Sequence, residues 1–246
     1  MHLAMLPRCV LSFLPLLIAA PTCAQDHVVV EEWVEVTTSA SRHVSPEHEA
    51  AETRAIDAFG PFRVLDENTV ALVDITDSRS PRQFAALLAE YPAIEVVEFV
   101  EAPGTHDDIA NLRVGRMIRE NYIATRAPEG GSIRSGAVEL FLAGAEREIH
   151  EGSEFAVHGW LDDYGRGAQD YPASAPEHRR YLDYYAEMGM EESEAAAFYA
   201  MTNSVPFENA RWLSGAEMAG WIGVEPTASS ATAPRLTYLD LPPLPQ

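Results

Sequence analysis

The sequence predicts an α/β fold with a mainly parallel sheet and a helical C-terminal part. From Phe62 onward, short apolar runs rich in Val, Ile and Phe alternate with longer segments of helical spacing, the rhythm of parallel strands joined by crossover helices. Turn residues interrupt that rhythm at Pro103-Gly104 and Gly130-Gly131, where strands would end and functional groups gather in such sheets. After His158 the strand rhythm stops and aromatic, helix-patterned segments follow.

In order, Phe62–Leu65 and Thr69–Ile75 read as strands around the turn Asp66-Glu67-Asn68. Ser80 and Pro81 start a helix through Tyr91, as cap and first-turn proline. Glu95–Val100 is a strand, followed by a turn at Ala102-Pro103-Gly104-Thr105. A helix over His106–Glu120 carries Asp107 and Asp108 near its positive end and an apolar stripe of Ile109, Leu112, Met117 and Ile118. Tyr122–Ala127 is the next strand, a glycine-rich turn follows, and Ser135 opens a further helix. Glu154–Val157 is a strand delivering His158; Leu161–Pro176 is a loop long enough for a lid. Glu177–Met188, Glu191–Met201 and Ser214–Trp221 are helical, the last with Ser214 and Glu217 spaced as a capping box. Upstream, Val28–Val36 reads as a short strand and Thr37–Arg54 as a polar linker with little pattern.

With 246 residues and 47% apolar content the chain can bury the core of one ordinary domain with extensions. Its charge is unusual: 38 acids face 17 bases, every base is an arginine, and the net charge is −21. Such a surface repels phosphate backbones and anionic bilayers, so neither nucleic acid nor an anionic membrane is an expected partner. Residues 1–24 read as a signal peptide, with Arg8, an apolar run over Cys9–Ala20 and small residues Thr22-Cys23-Ala24 before Gln25. Both cysteines fall in this leader, so the mature product is expected to be exported, without disulfide, cysteine nucleophile or cysteine metal site.

The stretch Gly130–Trp160 carries the candidate chemistry. A serine at a helix start lies among free N–H groups, and a histidine at a strand end is held rigidly. Where the two meet they form an activated nucleophile and its base. Taken singly, Ser135 reads as an ordinary cap and His158 as an ordinary polar residue. A His158–Asp162–Asp163 metal site, with His150 or His178, competes with this reading, but no His-Glu-x-x-His motif accompanies it. Gly130-Gly131-Ser132 lacks a Walker lysine, no lysine exists for a Ser-Lys dyad, and no Gly-x-Ser-x-Gly surrounds Ser135. No metal or other cofactor is expected.

In this order of elements, roughly Thr69–Val224 resembles the Clp protease proteolytic subunit and crotonase-like superfamily, most closely its exported Clp-like periplasmic proteins. The resemblance rests on Ala102-Pro103-Gly104-Thr105, on Ser135 opening a helix that ends Leu142-Ala143-Gly144-Ala145, on His158 after Glu146-Arg147-Glu148, and on Trp212-Leu213-Ser214-Gly215-Ala216-Glu217. It implies repeated β-β-α units and a peptidase-type serine hydrolase acting on a peptide or other acyl substrate. Ser135 would be the nucleophile, His158 the base, and the backbone N–H groups of Thr105 and Gly136 the oxyanion donors. The organisation becomes a leader over 1–24, an extension over 25–60, a Clp/crotonase-like domain over 61–225 and a disordered tail over 226–246. A homo-oligomer is implied too, with the aromatic helix of Tyr181, Tyr184 and Tyr185, and Phe198 and Tyr199, as packing or as subunit contact.

The departures from the pattern define the rival reading. Thr105 stands where a second glycine is usual, and Arg134 precedes Ser135, where it would crowd the nucleophile or bind an acidic substrate. The family's aspartate falls on Ala210, leaving Glu208 and Asn209 to orient His158. These three changes suit a catalytically decayed member acting as a periplasmic binding or scaffold protein.

Overall fold

The computed structural model describes residues 46–162 and 164–228. The expected leader, the strand over Val28–Val36, Asp163 and all but the first three residues of the expected tail lie outside the described residues. Helix α1 (Pro46–Arg54) lies where a patternless linker was expected. Its local logic is short-range: Pro46 presets φ, Glu47 and Glu49 sit in the first turn and Arg54 in the last. Its one buried residue, Ala51, joins Leu65, Ala71, Val73 and Val100 in a small second core.

Strands β1 (Asp57–Phe59), β2 (Phe62–Val64) and β3 (Thr69–Leu72) form an antiparallel meander. Helix α2 (Ser80–Glu90) follows, then three repeats of one pattern. In the first, β4 (Val96–Phe99) passes into β5 (Glu101–Ala102) and α3 (Asp108–Glu120). In the second, β6 (Ala124–Ala127) passes into β7 (Ser132–Arg134) and α4 (Gly136–Leu142). In the third, β8 (Arg147–Ile149) passes into β9 (Glu154–Val157) and, after the long loop, α5 (Pro176–Glu187). Helix α6 (Glu192–Thr202), strand β10 (Arg211–Ser214) and α7 (Gly215–Ile222) complete the fold.

Each repeat feeds two sheets. The first strand of each joins a six-stranded sheet of order β1-β2-β3-β4-β6-β8, in which β3, β4, β6 and β8 are parallel. The second joins a four-stranded sheet of order β10-β9-β7-β5, in which β5, β7 and β9 are parallel. The α/β class with a mainly parallel sheet is borne out. The glycine turn at Gly130–Arg134 proves to contain β7, and the arginine turn before His158 contains most of β8.

Helix α4 is buried along most of its length, and its Phe141 meets Phe99 of β4 and Phe155 of β9 edge-on at 5.5 and 5.2 Å. Asp107 caps α3 by accepting from the N–H of Ala110 at 2.9 Å. That start turns Ala110, Asn111, Val114 and Ile118 inward and leaves Ile109, expected in the stripe, 67% exposed. Tyr184 and Tyr185 of α5 and Phe198 of α6 are buried in the core, so these rings serve as packing within the chain. Among the described residues no helix is long and apolar enough to cross a membrane.

Candidate active site

Three parallel strands of the smaller sheet end side by side, and each delivers one candidate group. Ser135 immediately follows β7, His158 immediately follows β9, and Thr105 follows β5 by three residues. The ladder pairs Arg134 with Ala156 and Ala102 with Ile133. Carried three residues further, the second pairing brings Thr105 beside Gly136. A Cβ on Gly136 would stand 2.6 Å from Thr105 Cγ2, so glycine permits the close approach. Ser135, Gly136, Thr105 and His158 all line one cavity of about 750 Å3.

Ser135 is locked by its backbone. Its φ is +51° with ψ −133°, a region serine rarely occupies. Its N–H donates to Ala156 O at 2.8 Å, extending the β7–β9 ladder, while its carbonyl accepts from Val138 at 2.9 Å to open α4. Such a conformation costs of order 1–3 kcal/mol and persists where the surroundings impose it. The positive φ of the upstream turn falls on Gly104, at +128°, and not on Thr105. Threonine therefore fits the second turn position, and among the described residues no acceptor takes the N–H of Thr105 or of Gly136.

The position of Arg134 corrects the expectation that it crowds Ser135 or binds substrate. Successive strand residues face opposite ways, so Arg134 turns away from the cavity, with 2% exposure. Its Nη1 lies 2.5 Å from Glu101 Oε1 and donates to Ser132 Oγ. The guanidinium thus ties β7 to β5 from beneath.

His158 is oriented by a backbone group. Its Nδ1 lies 3.0 Å from Gly159 O. A carbonyl only accepts, so in the neutral ring this contact places the proton on Nδ1 and leaves the lone pair on Nε2, the tautomer a general base requires. Phe207 packs against the ring at 4.7 Å and 81°. The structure does not bring Glu208 or Asn209 to this histidine: both are exposed, and neither lines the cavity. Among the described residues no hydrogen bond joins Ser135 Oγ to His158 and no carboxylate pairs with the ring.

Two further groups were not singled out from the sequence. Asn111 of α3, 1% exposed, donates from Nδ2 to Gly136 O at 2.6 Å and accepts at Oδ1 from Thr76 Oγ1 at 2.8 Å. Thr76 in turn donates its N–H to Gly104 O at 3.0 Å. One buried amide thereby couples the Gly104 turn to the first residue of α4. Glu139, one helical turn beyond Ser135, is half-buried in the cavity and accepts from Tyr185 OH at 2.9 Å. Burial pushes its carboxyl up to about 7, with the Asp108 charge adding to the effect and the Tyr185 bond opposing it.

The loop after β9 closes on itself along the cavity lining. Leu161 bridges Gly167, and Asp162 accepts from the N–H groups of Tyr164 and Arg166, from Arg166 Nε and from Tyr171 OH. Asp162, named above as a metal candidate, is occupied by these four donors.

No protein-family model matches the chain, and no curated protein matches it. Among solved structures the chain is similar to a mutant of ClpP1 from Listeria monocytogenes, at 15% identity over 67% of this chain and 94% of that one, with a TM-score of 0.49. It is also similar to a mutant of the 1510-N membrane-bound stomatin-specific protease, at 15% identity over 67% of this chain and 79% of that one, with a TM-score of 0.44. A second mutant of that protease, in complex with a substrate peptide, gives 15% identity over 67% and 77%, with a TM-score of 0.43. The repeated strand–strand–helix units described above are those that the resemblance stated from the sequence implied.

Proposed function

We propose that this chain is an exported serine hydrolase of the peptidase type, with Ser135 as nucleophile and His158 as base. The observation that carries the reading is the shared cavity at the ends of β5, β7 and β9, lined by Ser135, His158, Thr105 and Gly136. Ser135 Oγ attacks an acyl carbon, and its proton passes to His158 Nε2. The carbonyl oxygen, now an oxyanion, takes the N–H groups of Thr105 and Gly136; the bond to the leaving group then breaks as the imidazolium protonates that group, and water deprotonated by His158 releases the acyl group from Ser135 as the acid. The Gly159 carbonyl holds the tautomer in the place of a carboxylate. A neutral acceptor stabilises the imidazolium less than a charged one, so turnover is slower than in a charge-backed triad. Export and cleavage after Ala24 belong to this reading, as does a homo-oligomer.

A second reading, a decayed site acting as a binding or scaffold protein, is favoured by one observation: Ser135 Oγ and His158 are not hydrogen-bonded to each other. Hydrolysis of p-nitrophenyl esters and a mixed peptide library, by the purified chain beside Ser135→Ala, separates the two. Turnover that vanishes in the variant supports the hydrolase; equal background rates support the scaffold.

A further inference from the structure

The cavity beyond Ser135 has a chemical character of its own. Its wall one turn along α4 is Glu139, and its neighbour on α3 is Asp108. Each carboxylate accepts from a tyrosine of α5: Tyr185 OH to Glu139 Oε1 at 2.9 Å and Tyr181 OH to Asp108 Oδ2 at 2.7 Å. Trp160 lies parallel to Tyr181, with 6.0 Å between centroids, and Tyr199 tilts against Tyr181 at 6.1 Å. Trp160, Tyr181 and Tyr199 all line the cavity.

The recess has aromatic walls and two carboxylates, and among the described residues no arginine or histidine forms an ion pair with Glu139 or Asp108. Two guanidiniums line the same cavity. Arg166 is bound to Asp162, and Arg180 is exposed. Asp107 and Glu177 add further negative charge to the lining, with Asp107 serving as the cap of α3.

Tyrosine hydroxyls satisfy hydrogen bonds but neutralise no charge. Two carboxylates that repel each other in a partly buried recess are stabilised by an incoming cation, and the half-buried rings of Trp160 and Tyr199 attract the same cation. A chain of net charge −21 also concentrates cations around itself.

We propose that this recess binds a cationic substrate side chain, so that hydrolysis at Ser135 takes place beside an arginine or lysine, whose charged end meets Glu139 and Asp108. The inference names the substrate class of the hydrolase proposed above and rests on that reading. The raised titration of Glu139 agrees with a carboxyl that lacks a cationic partner.

The test is calorimetric titration of benzamidine, with neutral benzamide as control, into the full-length chain, its Ser135→Ala form, and Glu139→Gln and Asp108→Asn variants checked for native fold by near-UV circular dichroism. Glu139→Gln and Asp108→Asn each keep an oxygen that can accept from Tyr185 and Tyr181 respectively. The expected result is benzamidine bound at least about tenfold more tightly than benzamide, with at least about tenfold loss in each folded carboxylate variant and full retention in Ser135→Ala. Equal binding of the two ligands, no binding, or benzamidine affinity unchanged in both variants overturns the proposal. Binding requires no chemistry, so the two claims fail separately. A chain that binds benzamidine but hydrolyses nothing contradicts only the hydrolase, and one that hydrolyses esters without binding benzamidine contradicts only the cationic recess.

Discussion

Gly104 and Ser135 stand face to face across the step from β5 to β7: a Cβ on Gly104 would lie 2.9 Å from Ser135 Cβ and 3.2 Å from its Oγ. The turn that offers the Thr105 N–H is thus packed directly on the candidate nucleophile. Gly104→Ala would add that atom at a φ of +128° as well. It is expected to cost about 1–3 kcal/mol of stability and to slow fluorophosphonate labelling at least about tenfold. Urea unfolding and labelling rates check this; a variant as stable and as reactive as wild type would contradict the arrangement.

The backbone at Ser135 makes a prediction about two substitutions. Elsewhere in a helix or strand, glycine is less stable than alanine by roughly 0.5–1 kcal/mol. At φ +51° that order should reverse, with Ser135→Gly more stable than Ser135→Ala by about 1 kcal/mol. Thermal melts of the two variants decide it, and the ordinary order would show that the strain is absent.

Asn111 predicts a buried-network defect. Asn111→Leu keeps similar bulk but strips partners from Gly136 O and Thr76 Oγ1. A loss of about 2–3 kcal/mol is expected for two orphaned groups, against less than about 0.5 kcal/mol for an exposed control such as Arg179→Gln. Denaturant midpoints measure both. Equal effects would mean that the amide is not coupling the two turns.

Glu139 predicts a pH dependence of stability with a definite sign. Its folded carboxyl titrates at about 7, above its ordinary value of 4.5. The stability held by the protonated form is therefore complete below about pH 4.5 and lost as pH rises through 7. Glu139→Gln cannot ionise, so it should match wild type near pH 4 and exceed it at pH 8 by about 2–3 kcal/mol. Melting temperatures at the two pH values test this, and a difference that does not change with pH would contradict it.

Much of this was legible in the sequence because it rests on periodic or local signals. The alternation of apolar runs with helical segments gave β3, β4, β6 and the helices between them, and Ser214 with Glu217 gave a capping box that forms as expected. The smaller sheet was hidden for a physical reason. Strands β5 and β7 span two and three residues, too few to display a period of two, and β7 ends on a buried arginine whose partner Glu101 is 33 positions upstream. Without that sheet, the side to which Arg134 points could not be read. The acceptor of His158 Nδ1 is the Gly159 carbonyl, a backbone atom that leaves no mark in residue identity, unlike the side chains of Glu208 and Asn209. Asn111 and Glu139 act through contacts made only when α3, α4 and α5 are assembled.

The most direct test of the central claim is fluorophosphonate labelling of the folded full-length chain, with the modified residue located by peptide mass mapping. The account predicts a single adduct on Ser135, absent in Ser135→Ala and formed at least about a hundredfold more slowly in His158→Ala. A folded wild-type chain that forms no adduct, or forms it on another serine, would contradict it.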